Sequence, residues 1–255
     1  MFPDALAALD VPGRDGRVRA VVENVTPSVD GGRFAVKRIV GDAIIVEADC
    51  FADGHDALAV QLMWRRDADP LWQAQAMVPI GNDRWRGAFT PSAQGRYRYT
   101  VKAWVDRFLS WRHDFGRRVD ESDVRLAARV GAQLAALAAG RASGEPAARL
   151  ADWAARLNAA SQAEPDLATL QQLALDEELA RLTMQFADDR FAFLFPAELP
   201  LEVDRERARF SAWYEFFPRS ASKEAGRHGT FADCEAMLPY VSDMGFDVVY
   251  LPPIH

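Results

Sequence analysis

The chain has 255 residues, 49% hydrophobic and 26% charged, enough to bury a substantial core and to hold more than one domain. A formal net charge of -7 and a pI near 5.2 give no overall basic field, which disfavours nucleic acid and anionic lipid as partners. Met1 to Asp10 lacks the basic flank and apolar run of a secretory signal, and no later stretch is apolar for long enough to span a bilayer, so the cytoplasm is the expected compartment and no membrane partner is expected. Cys50 and Cys234 have no CxxC partner and no nearby His, and read as buried, reduced thiols.

After a tail at residues 1–15, the segment 16–118 carries a period of two. Runs rich in β-branched and aromatic residues cover Arg17 to Val25, Phe34 to Ile39, Ala43 to Phe51, Ala57 to Arg65, Trp72 to Pro79, Trp85 to Thr90 and Arg96 to Trp104. Turn residues separate them, among them Asp30-Gly31-Gly32, Asp53-Gly54 and Gly81-Asn82-Asp83. Ile44, Val46 and Ala48 alternate with Ile45, Glu47 and Asp49, and Tyr97, Tyr99 and Val101 alternate with Arg98, Thr100 and Lys102, the mark of sheets wet on one face. About seven such strands predict an immunoglobulin-like β-sandwich. Trp64, Trp72, Trp85, Trp104 and Trp111 fall in or beside this segment and are assigned mainly to its core; the loop ending in Trp85 is the best surface candidate for stacking on a sugar ring.

Over residues 119–190 the period becomes 3.6. The stripes Leu126, Val130, Leu134, Leu137, then Leu150, Trp153, Leu157, then Leu175, Leu179, Leu182, Phe186 predict three amphipathic helices in a bundle. Breaks fall at Gly140 to Pro146 and Ser161 to Pro165, with Pro165 placed at the first turn of the third helix, and Asp176, Glu177 and Glu178 read as a solvated face. No metal-binding pair of side chains is visible there, and the bundle is expected to carry subunit contacts rather than chemistry.

A charged connector at 191–209 leads into 210–255. Phe210 to Phe217 reads as a strand ending at Pro218; Thr230 to Asp233 has the spacing of a helix start, Phe231, Cys234, Leu238 and Val241 form its inner face, and Gly245 stops it. Phe246 to Leu251 is a second strand, apolar apart from Asp247, and the three elements make a βαβ unit of the kind that parallel sheets are built from.

Trp213-Tyr214-Glu215-Phe216-Phe217-Pro218-Arg219-Ser220, Gly229-Thr230-Phe231 and Gly245 to His255 resemble the first two strands of the α-amylase superfamily barrel. Together with Val25 to Phe34, Val36-Lys37-Arg38, Phe51 to Asp56 and Gly81 to Trp85, they resemble more narrowly the maltosyltransferases that lengthen α-1,4-glucan from α-maltose 1-phosphate. The resemblance implies a multidomain protein: a sandwich with an inserted or appended helical bundle, then the first βαβ unit of a (β/α)8 barrel. It also implies a homodimer through these N-terminal parts, and a transferase in glycogen or α-glucan synthesis. Another glucan-active barrel enzyme, such as a trehalose-forming isomerase, and a self-standing dimerisation or carbohydrate-binding module are the alternatives.

The resemblance puts the catalytic carboxylates on later barrel strands, beyond His255, so this chain is expected to be inactive alone. Arg219, Ser220 and His255 lie near the ends of the two strands and are the substrate-proximal candidates. For Arg219 a structural ion pair and a phosphate contact are both open; Glu215 is assigned to a buried network. The segment Ser222 to His228 lacks the oxygen density of a calcium loop, so no metal and no cofactor are expected.

Overall fold

The computed structural model describes residues 16–163 and 167–254. The tail at 1–15, Pro165 and His255 lie outside the described residues. The others fall into two compact units. The first comprises residues up to Val36, Ile45–Phe89 and Tyr97–Pro200, and the second Lys37–Ile44, Thr90–Arg96 and the residues from Leu201 onward.

Eight strands occupy the N-terminal part: β1 (Ala20–Thr26), β2 (Val36–Ile39), β3 (Ile44–Ala52), β4 (Leu58–Arg66), β5 (Gln73–Ala76), β6 (Val78–Gly81), β7 (Arg84–Phe89) and β8 (Gly95–Val105). In the first unit β1-β3-β7-β6 form one sheet, and β8-β4-β5 form a second, with β9 (Phe193–Leu194) paired to β8. Phe89 of the first sheet stacks on Trp64 of the second at 5.0 Å and lies 6.2 Å from Tyr99. Val46, Ala48 and Cys50 are buried on one side and Val60, Leu62, Tyr99 and Val101 on the other. The two sheets therefore form a β-sandwich, and the alternation of β3 and β8 follows the inward and outward faces.

Three local expectations change. The run Trp72 to Pro79 is two strands: at buried Met77, whose N–H donates to the Val60 carbonyl at 2.8 Å, the chain crosses from one sheet to the other. Thr100, expected on the wet face, is buried because its hydroxyl donates to the Phe195 carbonyl at 3.1 Å. The tryptophans also divide. Trp104 and Trp111 are buried, whereas Trp64, Trp72 and Trp85 are half-buried.

Five helices follow: α1 (Arg107–Phe115), α2 (Glu121–Ala139), α3 (Gly144–Gln162), α4 (Leu167–Ala174) and α5 (Glu177–Gln185). Helix α1 stands where an end of the sandwich was expected. Asp106 caps it, accepting from Phe108 N and Leu109 N at 2.8 and 3.0 Å, and Phe108, Trp111 and Phe115 enter the helical core. The third expected helix is divided in two, because the Asp176 carboxylate accepts from Glu178 N at 2.8 Å and starts α5 afresh. Asp176 is thus a cap rather than part of a solvated face; Glu177 pairs with Arg112 at 2.6 Å and Glu178 with Arg149.

Of the stripe expected on α2, only Leu134 packs against the helical core, half-buried. The buried face of α2 is Val124, Ala127, Ala128, Gly131, Ala132, Ala135 and Ala138, while Leu126, Val130 and Leu137 are 60%, 43% and 58% exposed. Small side chains on one face let bulky neighbours approach. The Trp111 ring lies against Gly131, and its indole N–H donates to the Ala127 carbonyl at 2.7 Å. On α3 the stripe Leu150, Trp153 and Leu157 is buried as its spacing predicts, and so are Leu179 and Leu182 of α5.

In the second unit β2 pairs with β10 (Leu199–Asp204), which stands where a charged connector was expected; alternate Leu199, Leu201 and Val203 are buried. The last elements are β11 (Trp213–Glu215), α6 (Phe231–Asp243) and β12 (Val248–Tyr250). Both strands are shorter than the runs that predicted them. On α6 only Cys234 and Val241 of the expected inner face are buried; Phe231 and Leu238 are exposed. Among the described residues no helix is long and apolar enough to cross a membrane.

Candidate functional site

Strands β11 and β12 run parallel, with Trp213 opposite Val248, Tyr214 opposite Val249 and Glu215 opposite Tyr250. Asp247, the one acid in an apolar run, opens this ladder: its carboxylate accepts from Ala212 N at 3.0 Å while its own N–H donates to the Ala212 carbonyl at 2.9 Å, and Arg207 lies 3.3 Å from the other oxygen. Two parallel strands joined through α6 present their C-terminal ends, and the loops that follow, on the same side.

After β11 the backbone leaves the strand in a 3-10 turn, Pro218–Ser220, where proline fixes the first position. It returns at Gly229, whose N–H donates to the Arg219 carbonyl at 2.8 Å. Helix α6 starts with a reciprocal cap: Asp233 N donates to the Thr230 hydroxyl oxygen at 3.4 Å, and the Asp233 carboxylate accepts from Thr230 N at 2.7 Å. Arg227 adds a two-pronged contact to Asp233 at 3.0 and 2.8 Å. The Arg227 guanidinium, followed by the Thr230 donors, holds the Asp233 carboxyl well below the usual carboxylate range.

These elements border an open cleft of about 470 Å³, lined by Phe217, Pro218, Arg219, Gly229, Thr230, Phe231, Pro253 and Ile254. Arg219 is exposed and lines the cleft, and among the described residues no carboxylate pairs with it. Ser220 is exposed and does not line the cleft; its N–H donates to the Phe217 carbonyl at 2.9 Å. His255 lies outside the described residues. Glu215, expected in a buried network, is exposed opposite Tyr250. Phe217 and Phe231 form an aromatic side of the cleft that no sequence motif marks as a site feature, although they flank the Pro218 stop and the Thr230 helix start.

A second groove, also about 470 Å³, lies at the end of the sandwich beside Phe51, Pro79 and Trp85. Three of its polar side chains are already engaged: Asp56 with Arg19 at 2.6 Å, Arg84 with Asp49 at 2.9 Å, and the Trp85 indole N–H with the Cys50 carbonyl at 3.1 Å. Burial pushes the Cys50 thiol up to about 12, which leaves it protonated and unreactive at neutral pH. Among the described residues no group of three or more His, Cys, Asp or Glu side chains could hold a metal ion.

The described residues therefore define a β-sandwich protein with a helical layer in the same unit and a cleft at the ends of a short parallel strand pair. The chain belongs to the α-1,4-glucan:maltose-1-phosphate maltosyltransferase family, whose N/S-domain profile matches residues 18–205. It is 45% identical over 242 residues to the enzyme of that name from Chlorobaculum tepidum, with 94% of this chain and 35% of the relative covered. The Myxococcus xanthus enzyme of the same name is 43% identical over 243 residues, covering 92% of this chain and 36% of the relative. The Pseudomonas aeruginosa one is 37% identical over 238 residues, covering 93% and 35%. The chain thus spans about a third of the length of the curated relatives it matches.

Proposed function

We propose that this chain is the N-terminal part of a cytoplasmic maltosyltransferase, which moves maltosyl units from α-maltose 1-phosphate to the non-reducing ends of α-1,4-glucans with retention. The observation that carries the reading is the family match over residues 18–205, joined to relatives that all bear this name. In this reading the sandwich is immunoglobulin-like and ends in α1, which packs on the bundle; α2 to α5 form that inserted or appended bundle, and β11-α6-β12 opens a (β/α)8 barrel. Domain limits of 16–118, 119–190 and 210–255 follow from it.

Retention requires two displacements at the anomeric carbon. A carboxylate attacks it and the phosphate leaves; the 4-hydroxyl of the glucan end then displaces the carboxylate and gives its proton to a second carboxyl group about 5 Å away. Both carboxyl groups belong to the portion of the protein after His255, and the cleft holding Arg219 is one wall of the donor site. Maltohexaose incubated with the whole protein and maltose 1-phosphate should grow in steps of two glucose units. Growth by single units, or none, would overturn the assignment.

The same reading includes a homodimer. The exposed stripe Leu126, Val130 and Leu137 on α2 supports this, since an exposed apolar helix face marks an interaction surface. Leu126→Asp combined with Leu137→Asp should halve the mass in solution; an unchanged mass would move the contact elsewhere.

A further inference from the structure

The connection between β11 and α6 is closed with unusual tightness at one residue. A methyl group built on Gly229 would strike the Pro218 carbonyl oxygen, and would come within 2.9 Å of both Ala221 N and Ser222 N. All three are backbone atoms, so no flexible side chain can give way. The Gly229 N–H meanwhile donates to the Arg219 carbonyl at 2.8 Å. The return strand of the loop is therefore pressed onto the turn that carries Arg219. The rest of the loop is held to the same helix start: Glu224 N donates to the Ser222 hydroxyl oxygen at 3.1 Å, and Arg227 spans Glu224 at 3.0 Å and Asp233 at 2.8 Å. Exposed ion pairs contribute little rigidity, so the backbone contact at Gly229 is the firm part of the closure.

We propose that Gly229 is a positioning residue: it locks the Pro218–Ser222 turn onto the start of α6 and so fixes the exposed Arg219 guanidinium at the cleft, where it meets the phosphate of the donor. This rests on the maltosyltransferase reading above. Reacting groups lose about 100-fold in rate for a displacement near 1 Å, and a methyl at residue 229 forces a shift of that order on the turn.

The test uses the whole protein, with steady-state kinetics in maltose 1-phosphate at saturating maltohexaose for the unsubstituted protein, Gly229→Ala, Arg219→Ala and the double variant. Gly229→Ala should lower kcat/KM for the donor by about 10- to 100-fold. The double variant should fall no further than Arg219→Ala alone, since two changes acting through one contact are not additive. A merely structural role would instead multiply the two losses, and that result, or wild-type kinetics for Gly229→Ala, would overturn the proposal. Should Gly229→Ala fail to fold, Pro218→Ala frees the first position of the same turn without a clash and must show the same non-additivity with Arg219→Ala; multiplying losses there also count against it. If Arg219→Ala alone keeps full activity, the role of Arg219 falls and the proposal with it, while the maltosyltransferase reading stands. Silence of the unsubstituted protein would instead remove that reading.

Discussion

Gly131→Ala on α2 separates two physical accounts by the sign of its effect. Alanine is favoured over glycine in a helix interior by about 1 kcal/mol, so local propensity alone predicts stabilisation. In the structure the added methyl would enter the indole ring of Trp111. That ring cannot swing away freely. It lies 5.1 Å from Phe108 and 5.1 Å from Phe115, and its N–H is committed to the Ala127 carbonyl at 2.7 Å. Overpacking of a filled core costs about 1–3 kcal/mol, and loss of the indole hydrogen bond adds about 1 kcal/mol. Subtracting the propensity gain of about 1 kcal/mol leaves a net loss of about 1–3 kcal/mol. Gly140→Ala is the matched control. It stands at the C-terminal cap of the same helix, where a methyl meets only ordinary contacts at 3.5 and 3.8 Å, and should be neutral. Urea unfolding of the chain, followed by tryptophan fluorescence and by far-ultraviolet circular dichroism, measures both. A Gly131→Ala chain as stable as the unsubstituted one, or more so, would refute the packing of Trp111 on α2.

Three further outcomes are expected. Burial pushes the Asp106 carboxyl up, against the pull of its cap hydrogen bonds, so its contribution to stability is greatest below the ordinary carboxylate range and declines as pH rises through the raised value. Asp106→Asn keeps an oxygen for Phe108 N and should be at least as stable at pH 7, with the gap closing on acidification, whereas Asp106→Ala loses the cap and about 1–2 kcal/mol; urea titrations at pH 4 and pH 7 check both. Asp188 is held down to about 2 by the two-pronged contact from Arg190, so the stability lost in Arg190→Gln should be full above pH 4 and vanish as pH falls towards 2, measured by thermal melts across that range. Maltoheptaose should bind the chain weakly or not at all by calorimetry, because the Trp85 indole N–H, Asp56 and Arg84 are already paired; micromolar affinity abolished by Trp85→Ala in a folded protein would contradict this.

The parts of the fold legible in the sequence are those where burial follows a single period. Val46 and Ala48 on β3, and Leu150, Trp153 and Leu157 on α3, point inward because a strand or helix with one dry face must place its apolar residues that way. Helix α2 misleads for a physical reason. Where partners are as large as Trp111, the inner face needs alanine and glycine, and Leu126 and Leu137 are left outside. The β5–β6 crossing at Met77 and the pairing of β10 depend on partners far along the chain, which no local pattern records. At the cleft, Arg219 and the helix start at Thr230 were readable from Pro218 and from the Thr230–Asp233 spacing. The exposure of Glu215 was not, since an acid inside an aromatic run gives no sign of which side of a two-stranded ladder is covered.

Phosphate released from maltose 1-phosphate, with maltohexaose as acceptor, is best measured for the whole protein and for the 255-residue chain side by side. Displacement at the anomeric carbon needs a nucleophile and an acid/base partner held together, and the chain's cleft offers an arginine and two phenylalanines but no pair of carboxylates. The whole protein should release phosphate in step with glucan growth, and the chain alone should release none. Turnover by the chain, or silence from the whole protein, would contradict the account.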